Sequence, residues 1–96
     1  MIIIDIISQI RLGKLEELDL LEYITDNDVN IAIAVAESKY ATEPILDIAA
    51  HDKDRWVRLS AVKNVNMGTD TLMYLLKDKD VEIAQKAMER LGEKNM

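Results

Sequence analysis

Ninety-six residues suit a single domain, and an apolar fraction of 49% can supply its core. A formal net charge of −6 disfavours a nucleic-acid backbone as partner. With no cysteine there is neither a disulfide framework nor a thiolate metal site, which is compatible with a reducing compartment; the expected location is the cytoplasm.

The chain opens on Ile2, Ile3, Ile4, Ile6, Ile7 and Ile10, interrupted by Asp5. This run is too short for a membrane span and lacks the basic start of a signal peptide. It reads as a degenerate first helix over 1–12, with Asp5, Gln9 and Arg11 facing out. Its greasiness leaves a second reading open, a contact with another copy, because an end repeat normally shows a polar outer face. A second helix is expected from Lys14 to Ile24. Leu15, Leu18, Leu21 and Tyr23 flank its core positions, and Glu16, Glu17, Asp19 and Glu22 form a solvated face.

Next comes Asp26-Asn27-Asp28, the first of three acidic corners. The others are Asp52-Lys53-Asp54 and Asp78-Lys79-Asp80, each 26 residues after the last. The same offset aligns Ile31, Val57 and Ile83; Val35, Ala61 and Ala87; and Ala36, Val62 and Met88. It also aligns Leu20, Leu46 and Leu72, and Ile24, Ala50 and Leu76. A fixed period with matching apolar columns is the mark of a repeat array. Each unit is read as an acidic corner, a helix, a short loop and a shorter helix. The chain then divides at about 1–25, 26–51, 52–77 and 78–96.

The second Asp of each corner stands at the N-cap, where a carboxylate accepts from free N–H groups and opposes the helix dipole. A calcium loop is the rival reading, since Asp26, Asp28, Asn30 and Glu37 match four of its ligand positions. That loop needs Gly at its sixth position, where this chain has Ile31 or Ile83, so the capping role is preferred. The remaining elements are helices over 28–39, 43–51, 54–65, 69–77 and 80–91. Thr42 and Thr69-Asp70 are expected to cap the short ones, Pro44 sits in a first turn, and Gly92 is expected to end the last.

The third unit contains Asp52-Lys53-Asp54, Val57-Arg58, Ala61-Val62, Asn64 and Leu72. On these residues the chain resembles the HEAT-like helical repeat family, and most nearly its leucine-rich repeat variant relatives, over roughly 15–92. The resemblance implies an all-α fold, an α-solenoid of about three and a half repeats of 26 residues. The family's Arg is present only at Arg58, with Ala32 and Ala84 at the equivalent places, so an Arg–Asp ladder along the array is not expected. The iron–sulfur module found beside some variant repeats would need cysteines.

Two sets of residues stand out for function. Trp56 occupies a position that is polar in the sister repeats, Asn30 and Glu82, and it lies among Lys53, Arg55, Arg58 and His51. A Trp–Arg pair is common hot-spot chemistry, although Trp56 could equally cover a neighbouring corner as packing. The resemblance also implies that second helices line a concave side, placing Asp47, His51, Met73, Tyr74 and Lys77 at a groove, while Ile48 and Tyr74 could simply fill gaps. No catalytic residue, cofactor or metal is expected, and lone His51 has no second His or Cys to complete a site. The expected function is non-catalytic binding of a protein or peptide. A self-associating unit, joined through the Ile-rich start or the far end, is the alternative. A nucleic-acid-binding or tetrapyrrole-lyase-like HEAT protein is the weaker one. Residues 1–48 carry a charge of −7 and residues 49–96 a charge of +1, an asymmetry that favours head-to-tail contact.

Overall fold

The three acidic corners fold alike, and they explain the period. A computed structural model describes the backbone of residues 3–94 and the side chains of residues 5–94. In each corner the first Asp accepts the N–H of the second, at 2.8 Å for Asp26, Asp52 and Asp78 alike. The second Asp then accepts the N–H two residues on, from Asn30 at 2.9 Å, Trp56 at 2.8 Å and Glu82 at 3.0 Å. Each carboxylate therefore satisfies a donor that the helix start leaves free. The capping role expected for the second Asp is observed, and the first Asp proves to form the turn that presents it.

Seven helices, and no strand, are found among the described residues: α1 (Ile3–Arg11), α2 (Glu17–Tyr23), α3 (Val29–Ala36), α4 (Glu43–Ala50), α5 (Arg55–Val62), α6 (Thr69–Leu75) and α7 (Val81–Lys94). The odd-numbered helices pack in succession, α1 on α3, α3 on α5 and α5 on α7, while α4 packs on α6. Further contacts join α2 to α3, α3 to α4, α4 to α5 and α6 to α7. The described chain measures 40 × 25 × 16 Å. None of its helices is long and apolar enough to cross a membrane.

Burial follows the aligned columns. Ile31, Val57 and Ile83 are buried, as are Val35, Ala61 and Ala87, and Leu20, Leu46 and Leu72. In α3 the alanines Ala32, Ala34 and Ala36 are buried between these branched residues, letting α1 and α5 approach on either side. Of the first helix, Ile10 is buried and Ile6 and Ile7 are half-buried against the core, with Asp5 and Arg11 exposed. The side chains of Ile2, Ile3 and Ile4 lie outside the described residues. Two columns break at their last member, where Met88 and Leu76 are exposed although Ala36, Val62, Ile24 and Ala50 are buried.

Polar side chains tie the third unit to the second. Asn64 Nδ2 donates to the carbonyls of Ala36 and Ser38 at 2.9 and 2.8 Å, and Asn66 Nδ2 to those of Lys39 and Ala41 at 2.9 and 3.0 Å. The two Asn64 bonds are buried, and they give the Ala36 carbonyl a partner inside the seam.

Several expected boundaries move. The second helix starts at Glu17 rather than Lys14, because Gly13 at φ 70° breaks the chain there and Glu16 forms a capping box with Asp19. Thr42 holds the N-cap of α4, but its hydroxyl donates to Glu17 Oε1 at 2.7 Å instead of capping. The cap of α6 is Gly68, one residue before Thr69. Gly92 does not end α7, which continues to Lys94.

Candidate functional site

The C-terminal end of α4, the acidic corner after it and the exposed side of α6 enclose an open groove of about 740 Å³. One wall is an aromatic pair. The rings of His51 and Tyr74 stack at 4.1 Å between centroids with 19° between planes. His51 is held in place from behind, its Nδ1–H donating to the Asp47 carbonyl at 2.8 Å. That bond leaves Nε2 as the other, open ring nitrogen in the neutral form. The Asp47 carboxylate accepts from Thr71 Oγ1 at 3.2 Å, linking α4 to α6. Met73 and Leu76 add apolar surface.

At the base lies an ion pair. Arg58 Nε donates to Asp78 Oδ2 at 2.8 Å and Nη2 to Oδ1 at 3.3 Å, while Nη1 donates to the carbonyls of Asp52 and Lys53 at 2.9 and 3.1 Å. The planar fork suits this two-pronged grip on one carboxylate. Lys53, Lys77 and Lys79 stand at the rim, in no ion pair with the described residues. An apolar and aromatic floor with cations at the edge can take an apolar anchor flanked by carboxylates.

Of the residues singled out from sequence, His51, Met73, Tyr74 and Lys77 therefore meet in one place. Asp47 is exposed but does not line the groove; it acts by holding His51 through its carbonyl and Thr71 through its carboxylate. Arg58 is a correction: expected as a contact residue, it is 6% exposed, and its guanidinium is engaged within the fold. A buried charge is retained only when paired and hydrogen-bonded, and Asp78 with two carbonyls provides that. Trp56 and Arg55 do not line the groove. Trp56 is 56% exposed at the start of α5, with the Arg55 guanidinium 4.6 Å from its ring centroid. Arg55 also donates through Nε to Asp80 and through Nη2 to Glu82 at 2.9 Å. The Asp80 carboxyl is held below its ordinary range, first by that Arg55 bond and further by the N–H groups of Ile83 and Glu82, against the opposing effect of desolvation.

Lys53, Asp70, Leu76 and Lys79 also line the groove and go unnoticed in the sequence as site residues. Leu76 is hidden by its column, since Ile24 and Ala50 are core residues. The signal for Lys79 is the Lys77-Asp78-Lys79 alternation at a helix end, which sets two cations beside the carboxylate that binds Arg58; no such pattern marks Asp70. Among the described residues no cluster of His, Cys, Asp or Glu could hold a metal ion. In comparisons with family models, curated proteins and solved structures, nothing matches this chain.

Proposed function

We propose that the chain is a short HEAT-like α-solenoid that binds a protein or peptide without catalysis, and that the groove between α4 and α6 is its principal docking surface. The solenoid reading is supported by three corners of one geometry and by side-chain bonds that join residues 24 to 28 positions apart, one repeat length. The observation that carries the binding role is the exposed Tyr74, Met73 and Leu76 surface beside three unpaired lysines. Apolar side chains grouped at a concavity, rimmed by charge, characterise interaction sites.

The test is recovery of partners with the tagged protein from its native source, in parallel with Tyr74→Ala. Loss of one specific partner from the variant, with helicity unchanged, is expected. Identical recovery by both proteins would remove the groove from the binding surface. Trp56 supports a second, smaller contact area, because Arg55 already holds its ring and less side-chain freedom is lost on binding. Trp56→Ala in the same experiment reports on it separately.

A further inference from the structure

Among the described side chains, the most exposed large apolar one is Leu18, at 77%. It sits on α2, with Glu22 one turn later on the same helix face and Glu16, Glu17 and Asp19 around it. No Lys or Arg occurs between residues 15 and 38, and the carboxylates of α2 are in no ion pair among the described residues. The surface is thus an apolar knob ringed by carboxylates that no cation meets among the described residues. The groove is an apolar floor where Lys53, Lys77 and Lys79, in no ion pair among the described residues, outnumber the one exposed carboxylate of Asp70, so the two surfaces are complementary in charge.

Their placement makes the match usable. Glu22, Ile48 and Tyr74 occupy one position in the 26-residue repeat, and all three are exposed. The Thr42–Glu17 bond ties α2 to the start of α4, and α4 packs on α6. In the proposed solenoid, knob and groove then stand on the first and third of the short helices α2, α4 and α6, with Ile48 on the one between them. A two-fold axis through the Ile48 region would put each knob over the other copy's groove at once. Closed two-fold pairing is the commonest form of self-association and uses one patch on both copies. It would also lay the half with charge −7 across the half with charge +1, reducing repulsion between two acidic chains.

We propose that the groove is occupied by a second copy of this chain, Leu18 and Glu22 of each copy docking on Met73, Tyr74 and Lys77 of the other, with Ile48 near the axis. The inference rests on the groove being a docking surface, and it names the occupant.

The experiment is sedimentation velocity on the full chain over a wide concentration range, with the charge reversals Glu22→Lys and Lys77→Glu. Both side chains are exposed, and circular dichroism checks that each variant folds. The wild type is expected to form a dimer. Each reversal alone should weaken it about tenfold or more, the scale of a close interfacial charge pair. An equimolar mixture of the two variants should restore it, because each reversed knob then faces a reversed groove. A wild type that stays monomeric, a dimer insensitive to both reversals, or a mixture that restores nothing would each overturn the proposal. A monomer that still loses a captured partner on Tyr74→Ala would leave the groove reading standing and remove only the second copy.

Discussion

Arg58 and Asp78, twenty positions apart in the chain, form a forked ion pair whose side chains are only 8% and 6% exposed. The same guanidinium closes onto two carbonyls of the preceding corner, so one side chain joins corner 52–54 to corner 78–80. Removing one partner leaves the other as an uncompensated buried charge. Arg58→Ala and Asp78→Ala should each destabilise by about 3–5 kcal/mol, read as a lower urea midpoint. Arg58→Lys should recover only part of the loss, because an ammonium cannot grip both oxygens and both carbonyls at once. A change below about 0.5 kcal/mol in Arg58→Ala would show that the pair does not join the corners.

Asp80 makes stability depend on acid. Its folded-state pKa lies below the unfolded value because the ionised form is bound by Arg55 and by two backbone N–H groups. The unfolded chain thus binds a proton more readily than the folded one. The contribution is complete well above the ordinary carboxylate pKa of 3.8 and disappears as pH falls from there through the lower folded value. Thermal unfolding of Asp80→Asn should accordingly lose less between neutral pH and that acidic window than the wild type does. Parallel curves for the two proteins would show that Asp80 is not held in its ionised form.

Much of this fold is legible in the sequence because a repeat must solve the same packing problem each time. The columns of Ile31 and Leu46 recur since every helix needs the same contact, and the paired aspartates recur since every helix start has the same free donors. Element ends are less legible. Lys14 fits the helical pattern of its neighbours, and only the left-handed turn at Gly13 shows that the helix has not yet begun. At the site, Tyr74 and Lys77 follow from the register together with what the family resemblance implies for second helices, whereas the exposure of Leu76 and the burial of Arg58 do not. A column predicts similar side chains, not similar cover: Ala50 is buried and Leu76 is 36% exposed. Arg58 looks like a surface cation until Asp78 is brought to it by the fold.

Asn64 offers a separate test of how the units adhere. Its amide bonds two carbonyls of the previous loop, and its own Oδ1 accepts the N–H of Asn66 at 2.9 Å. Asn64→Ala takes away the partners of the Ala36 carbonyl and the Asn66 N–H at this seam, which should cost about 1–3 kcal/mol. Asn66→Ala acts on the same loop from an exposed position, where water replaces the amide, and should cost less. The ratio of the two, from chemical denaturation, checks that the seam is dry. Equal costs would place both side chains in solvent.

Trp56 is the single indole, so its emission reports one site. At 56% exposure it should emit at long wavelength and be readily quenched by a neutral quencher. Trp56→Ala should change stability by no more than about 0.5 kcal/mol, as surface substitutions commonly do. Arg55→Ala should leave the ring exposed but loosen it, lowering fluorescence anisotropy, because the guanidinium 4.6 Å from its centroid is gone. Blue, protected emission from the wild-type monomer would place Trp56 in the core and withdraw it from the binding surface.

Two glycines should respond to the same substitution with opposite signs. Gly92 lies inside α7 with nothing near the place a Cβ would take, so Gly92→Ala lowers only the entropy of the unfolded chain and raises helix propensity. It should stabilise by roughly 0.5–1 kcal/mol. Gly13 has φ 70°, a left-handed conformation that L side chains disfavour, and a Cβ there would run into the Tyr40 ring. The ring is half exposed and can swing away, but the backbone strain stays, so Gly13→Ala should destabilise by about 1–2 kcal/mol. Thermal melts of the two variants decide the matter in one comparison. If Gly92→Ala destabilised instead, Gly92 would be serving as a helix terminator, and the continuation of α7 to Lys94 would be wrong.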